Sequence, residues 1–348
     1  MTEPPRPPRR KRYRGTHPRR FEERYKELNP EKYASEQAKV RAQGRTPAGT
    51  HVPVMLNEVL AALKPSPGRV YLDCTLGFGG HAQAIGALVA PAPVIGLDLD
   101  AEEQARTRAR LAALGITLHA HHGNFAGLAK VLKAEQIAGV DLLLADLGVS
   151  SMQLDRPERG FSFKHEGPLD MRMDRSRGQT VAEMLAAADE ETLVRWLSDF
   201  GDEPRAAAVA RAIVQARALR PLATSRDLAE VVMRALGINP RRYKRRGPAD
   251  THPAARTFQA LRMAVNRELE NLEQFLRDLP WVLNASGRAA IITFHSGEER
   301  RVRAALQAGL EAGHFSEAEL AGQAPQSREV FDNPRARSAR LFWAQRAV

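Results

Sequence analysis

Apolar and polar positions along the chain follow two rhythms. In residues 70–74, 93–98, 116–121 and 140–146 apolar side chains succeed one another without alternation, the pattern of strands buried on both faces. Between these runs, residues 80–90, 102–114 and 125–136 repeat their apolar positions at helical spacing. Strand and helix alternating at that pitch predict a parallel sheet joined by right-handed helical crossovers. After residue 150 the rhythm changes. Residues 150–255 hold no buried-strand run but four helical patterns, at 180–187, 190–200, 204–219 and 225–236. A long helix is expected over 257–279, then a strand over 287–294, a helix over 298–312 and a last strand over 339–345. The expected fold is α/β, a doubly wound Rossmann-like sheet interrupted by an all-helical insertion. Its parts run 1–45 (an extension), 46–149 (first part of the sheet domain), 150–255 (helical insertion) and 256–348 (second part).

Composition sharpens this picture in a few places. The 348 residues are 43% hydrophobic and 27% charged, a globular balance. No apolar run approaches the roughly 20 residues that span a bilayer, so no membrane partner is expected. A lone cysteine, Cys74, cannot form an internal disulfide, and no charged-then-apolar leader opens the chain; both point to the cytoplasm. The net charge of +11 is unevenly placed: residues 1–45 carry +8 and the remainder +3. That segment is rich in Pro and Arg and lacks core-forming residues, which predicts a basic arm suited to polyanions or to solubility. A second basic run, Arg241, Arg242, Lys244, Arg245 and Arg246, sits between Pro240 and Pro248. Two such runs favour an RNA or DNA partner.

Four sites line the carboxyl edge of the expected sheet. The first strand ends in Asp-Cys-Thr-Leu-Gly-Phe-Gly-Gly-His (73–81), where glycines permit positive φ and close backbone approach at a helix N-terminus. A tight turn with no ligand would look the same. Asp98 ends the second strand, 19 residues after Gly79, placed to accept ribose hydroxyls, with Asp100 the better helix cap. Phe125, after the third strand, offers a face to an adenine ring or to the core. Asp146 ends the fourth strand ahead of Gly148, Ser150 and Ser151. A nucleotide-like cofactor follows, and NAD stays open because 77–82 loosely matches the dinucleotide turn. No His, Cys, Asp or Glu group has metal-ligand spacing.

Several blocks resemble the 16S ribosomal RNA (cytosine(1402)-N4)-methyltransferase family. They are residues 73–81 above, Asp-Leu-Gly-Val-Ser-Ser-Met-Gln-Leu-Asp (146–155), Arg-Gly-Phe-Ser-Phe (159–163) and Gly-Pro-Leu-Asp-Met-Arg-Met-Asp (167–174). Thr-His-Pro-Ala-Ala-Arg-Thr-Phe-Gln-Ala-Leu-Arg (251–262), Phe-His-Ser (294–296) and Asn-Pro-Arg-Ala-Arg-Ser (333–338) continue the series. The resemblance implies a class I methyltransferase fold, S-adenosylmethionine as cofactor and small-subunit rRNA as substrate. It places cofactor contacts on Gly79, Gly80, His81, Asp98, Phe125, Asp146 and Gln153. Asp146 or the adjoining loop 148–151 is the candidate acceptor at the reacting amine, and His295, at the end of the resumed strand, a candidate to orient the base or carry off its proton. Met171 and Met173 read as local packing around an Asp170–Arg172 pair. Three departures stand out: residues 1 to about 45 lie outside the family core, Phe-His-Ser is followed by Gly297-Glu-Glu-Arg instead of Leu-Glu-Asp-Arg, which should loosen the turn, and Gln-Ala-Pro-Gln (323–326) replaces a Lys-Lys-Pro segment. Two other classes compete, a nicotinamide oxidoreductase and a non-catalytic rRNA-binding assembly factor. The oligomeric state, monomer or homodimer, stays open.

Overall fold

The computed structural model describes residues 53–163, 166–244 and 251–348; the basic arm and the Arg245–Arg246 half of the second basic run lie outside them. Seven strands form one sheet in the order β3-β2-β1-β4-β5-β7-β6. They are β1 (Tyr71–Asp73), β2 (Val94–Asp98), β3 (Leu118–His122), β4 (Val140–Asp146), β5 (Leu283–Thr293), β6 (Phe315–Gln323) and β7 (Arg340–Arg346). The first five are parallel, and β7 runs antiparallel to both β5 and β6. Helices α1 (Leu56–Leu63), α2 (Gly80–Val89), α3 (Ala101–Ala113), α4 (Leu128–Glu135), α11 (Glu268–Val282) and α12 (Ser296–Glu311) cover its two faces. This is the class I methyltransferase fold that the resemblance implies.

The unalternating strands follow from the layering. Along β4, Leu143 and Ala145 enter the core beneath α4, α11 and α12, while Leu142 and Leu144 enter the one beneath α1, α2 and α3. Leu72 and Tyr71 of β1, and Ile291 and Ile292 of β5, divide in the same way. Successive side chains point to opposite faces, so a strand covered on both sides has no polar position to show.

The insertion occupies the crossover from β4 to β5. It comprises α5 (Ser151–Asp155), α6 (Val181–Ala187), α7 (Glu190–Asp199), α8 (Ala206–Leu219), α9 (Ser225–Ala235) and α10 (Ala255–Asn266). Its helices close on a separate apolar cluster that includes Leu193, Val209, Ile213, Leu228, Phe258 and Leu261.

Two expectations require correction. The helix expected over 257–279 is two helices, α10 and α11, broken at Arg267, whose φ of 51° lies in the left-handed region. The two apolar faces serve different cores, α10 chiefly the insertion through Phe258, Ala260 and Leu261, with Met263 reaching the sheet core, and α11 the sheet. Asn266 fixes the break: its Nδ2 donates to Met171 O and its Oδ1 accepts from Met173 N–H, both at 2.8 Å. In packing terms α10 therefore goes with the inserted helices, although the expected boundary fell at 255. Strand β6 was not expected at all. Its sequence, FSEAELAGQ, carries no apolar run because it is an edge strand exposed along much of its length.

Candidate active site

Strand order reverses between β1 and β4, and open α/β sheets hold ligands in the crevice outside the carboxyl ends at such a point. Asp73 ends β1 and Asp146 ends β4. The loop between β1 and α2 is stitched across this edge: Leu76 N–H donates to Leu97 O at 2.8 Å, Gly77 N–H to Asp98 Oδ2 at 2.6 Å, and Asp146 N–H to Thr75 Oγ1 at 2.7 Å. One loop thus brings Asp98 and Asp146, distant in sequence, to the same rim.

The glycines of that loop are explained by the protein itself. Gly77 and Gly79 have φ of 47° and 67°. A Cβ on Gly79 would lie 2.6 Å from Thr107 Cγ2, and one on Gly80 would lie 2.6 Å from Pro53 Cγ. A Gly79→Ala protein should lose about 1–3 kcal/mol of stability in urea denaturation. Adding Thr107→Ser, which removes Cγ2 but keeps the hydroxyl that donates to Gly77 O, should recover the part due to the clash and not the part due to φ. His81, in the first turn of α2, is buried with Nε2 3.0 Å from Val54 O.

Asp98 accepts from Gly77 N–H and, through Oδ1, from Asp100 N–H at 2.7 Å. Burial pushes its carboxyl up to about 6, against the pull of those two donors. Asp100 caps α3 by accepting from Glu103 N–H at 3.2 Å, the role its position predicts. Its other oxygen takes the Arg159 guanidinium, which also donates to Arg172 O at 3.0 Å and Met173 O at 2.9 Å. The rim is tied in this way to the insertion. Asp170 and Arg172 pair at 2.7 Å as expected, and Met171 is fully buried. Phe125 opens a short turn capped by Asn124 and packs edge-on against Phe275, with ring centroids 5.4 Å apart, so at least one of its sides serves the core.

Asp146 has the most unusual environment. Its Oδ1 is shut off from solvent and has no hydrogen-bond partner among the described residues. Burial first, then the charges of Asp73, Glu298 and Glu329, push its carboxyl up to about 8. Asp73 is itself raised to about 6, chiefly by burial. No Lys or Arg is paired with Asp73, Asp98 or Asp146 among the described residues. Glu329, on α13 (Ser327–Asp332), accepts from Met55 N–H at 2.7 Å.

Gln153 forms a capping box with Ser150: its Oε1 accepts Ser150 N–H at 2.9 Å and its N–H donates to Ser150 Oγ at 3.2 Å. His295 caps α12, its Nδ1 accepting from Glu298 N–H at 3.4 Å, and its Nε2 lies 3.2 Å from Glu298 Oε1. Gly297 does not loosen this turn, because α12 starts directly after the His295 cap. A Cβ there would sit 3.1 Å from His295 Nδ1, so the small residue leaves the ring room. Arg241, Arg242 and Lys244 are exposed on the turn after α9, where Asn239 O accepts from Arg242 N–H and Tyr243 N–H.

Residues 48–347 match the model of the MraW methylase family. The chain belongs to the MraW methylase family. Similar proteins include ribosomal RNA small subunit methyltransferase H 1 of Agathobacter rectalis, 41% identical with full coverage of both chains. Ribosomal RNA small subunit methyltransferase H of Sorangium cellulosum is 46% identical over 85% of this chain and 90% of its own length. Among solved structures, an rRNA methylase from Streptococcus thermophilus overlays with a TM-score of 0.35 at 11% identity, covering 84% of this chain and 94% of that one. TrmN from Thermus thermophilus gives 0.38 at 14% identity, over 84% and 48%. Membership of the MraW methylase family decides for methyl transfer over the hydride transfer that the glycine turn also allowed.

Sequence reasoning missed Arg159, Glu298 and Glu329 as parts of this edge. Arg159 lay inside a quoted block, but only the tertiary contact shows its partner. Glu329 carries no local signal.

Proposed function

We propose that this chain methylates small-subunit ribosomal RNA, using S-adenosylmethionine and acting on the N4 amine of the cytidine at position 1402. The observation that carries the proposal is family membership across residues 48–347 together with an unpartnered, buried carboxylate oxygen at the sheet's switch point. The names of the 41–46% identical relatives supply the class of RNA.

The residues at the rim fit the cofactor. Asp98 keeps acceptor capacity beyond its two backbone donors and would take the ribose hydroxyls. Gly79, Gly80 and His81 would border the amino-acid portion, with Phe125 and Gln153 beside the adenosine. When bound, S-adenosylmethionine supplies an activated methyl group on a sulfonium. Cytosine N4 is a weak nucleophile because its lone pair is delocalised into the ring. Asp146 Oδ1, accepting a hydrogen bond from that amine, would draw the lone pair out of conjugation and take the proton. Holding nitrogen in line with the methyl carbon supplies roughly 7–11 kcal/mol of the barrier in favourable cases. His295, locked as a cap with both ring nitrogens beside Glu298, would orient the base rather than move its proton.

The amine must be unpaired or extruded to be reached. The inserted helices, from 150 to Asn266, would form the wall opposite the cofactor. Arg241, Arg242 and Lys244, with Arg245, Arg246 and the N-terminal arm, would grip phosphates. Replacing Arg241, Arg242 and Lys244 by Ala should reduce the slope of log affinity against log salt by about 2. An unchanged slope would remove that turn from the RNA contact. A cytoplasmic location and action on the assembled subunit belong to the same proposal.

Mass spectrometry of small-subunit rRNA after incubation with the protein and labelled cofactor tests it. Label on a single cytidine as an N4-methyl group is the expected result. RNA binding with no methylated product would favour the assembly-factor reading instead.

A further inference from the structure

Two large aromatic side chains stand in solvent among the described residues, Trp281 at 64% and Phe331 at 75% exposure. Trp281 ends α11 beside the start of β5, where the His314 ring packs on it edge-to-face at 4.9 Å and the Arg346 guanidinium lies 5.8 Å from its ring. That is the amino edge of the sheet, away from the switch point. Phe331, on α13, lies at the carboxyl edge. Because β7 runs antiparallel to β5, the chain that leads into β7 meets the sheet where β5 ends. Leu341 pairs with Ile292, and Ile292 with Asp146. At the spacing of strands that row sets Leu341 roughly 10 Å from Asp146.

The segment just before β7 is α13 and the short turn Pro334–Ser338, and its inner side is fastened. Glu329 accepts from Met55 N–H at 2.7 Å, and Ala336 and Ala339 are fully buried. The two residues before Met55 border the cofactor loop: Val54 O lies 3.0 Å from His81 Nε2, and Pro53 fills the space a Cβ on Gly80 would need. The outer side of α13 carries Arg328 and Phe331, both exposed and three residues apart, hence neighbours on one helix face. Arg337, on the turn that follows, is exposed as well. Neither arginine side chain has an ion pair or hydrogen bond among the described residues.

A lone exposed apolar side chain needs no explanation. One that is preceded and followed by unpaired cations, on a segment bonded to the cofactor rim, does. Drawing a target base out of its strand leaves the adjoining base without one of its stacking partners. Resting on the RNA-methylation reading above, we propose that Phe331 stacks on the unpaired nucleotide next to the target cytidine, with Arg328 and Arg337 on the flanking phosphates. The phenyl ring replaces the lost stacking and does so whatever the base, since every base has a π-face. Charge selects this occupant over a second copy of the chain, because a self-complementary contact through this face would set arginine against arginine.

Kinetics with small-subunit rRNA, presented free and as the assembled subunit, test the proposal. Phe331→Ala should raise KM for RNA about tenfold, with the loss falling on KM rather than kcat, because a stack on a neighbouring nucleotide is made equally before and during transfer. Phe331→Trp should restore the parental KM. Joint Arg328→Ala and Arg337→Ala replacement should lower the slope of log affinity against log salt by about 1.4, the value for two contacts to a single strand, whereas Phe331→Ala leaves that slope unchanged. A single-stranded RNA with 2-aminopurine beside a cytidine reports the stack directly. Its fluorescence should be quenched by the parent and by Trp281→Ala, which removes the exposed aromatic at the far edge, and not by Phe331→Ala. Parental KM and quenching in Phe331→Ala would overturn the stacking role and leave the methylation reading standing. A parent dimer that dissociates in Phe331→Ala would overturn it in favour of a second copy. A parent that methylates neither form of the RNA would overturn both readings.

Discussion

An Asp146→Asn protein should methylate its RNA about 10²–10³-fold more slowly in single turnover at saturating cofactor, while becoming more resistant to heat. The first effect follows from replacing the acceptor at the reacting amine by a group that cannot take its proton. A normal rate in preformed complexes would confine Asp146 to cofactor binding. The second effect follows from burial. The Asp146 carboxyl, pushed up to about 8 in the folded protein, titrates near 4 when exposed. Between those values the folded state holds one proton more than the unfolded state, so stability falls as pH rises across that window. Asn carries no such dependence. The gap in Tm between variant and parent should widen from about pH 5 to pH 8 and level off above it, a few degrees at most. Parallel Tm curves across that range would contradict the buried, unpaired state of the carboxyl.

An Arg159→Met protein should lose about 3–5 kcal/mol, because truncating one partner leaves the other charge buried alone. Arg159 and Asp100 are 5% and 8% exposed, and the guanidinium also serves the carbonyls of Arg172 and Met173. Arg159→Lys should restore only part of the loss, since an ammonium cannot span an Asp and two carbonyls as a planar fork does. The acid limb adds a check. Burial works to raise the Asp100 carboxyl, but the Arg159 hydrogen bond and charge outweigh it and hold the group below its ordinary value. The contact therefore contributes fully above the unfolded value and is lost as pH falls through the folded one. Urea denaturation between pH 2.5 and 6 should show a flatter acid dependence in Arg159→Met. Cofactor affinity should fall as well, because Asp100 N–H positions Asp98 Oδ1. A variant as stable as the parent would mean that the rim and the insertion are held together elsewhere.

The carboxyl-edge residues were legible because their signals are local. Asp98 and Asp146 each close an unbroken apolar strand, and Asp100 follows Asp98 at cap spacing. The glycine turn between Gly77 and Gly80 was equally plain, although its reason differs from the one the motif suggests. Gly79 is required by Thr107, and Gly80 by Pro53. His81 and Gln153 were named through family resemblance alone, and the folded chain gives each a structural bond, to Val54 O and within the Ser150 capping box. The break at Arg267 left no trace, since neither Gly nor Pro marks it and Asn266 acts through contacts with residues 171 and 173. Strand β6 was hidden because an edge strand needs no apolar run.

By itself the sequence determined the layered α/β fold, the place of the helical insertion and the carboxylates that end β2 and β4, for these depend on periodicity and turn chemistry within a few residues. Only the tertiary structure decided that the charges of Asp73, Glu298 and Glu329 act on Asp146, whose Oδ1 has no hydrogen-bond partner among the described residues, and that Arg159 ties the rim to the insertion. Charge and burial at a point sum over side chains from every element that meets there, and no stretch of sequence carries that sum.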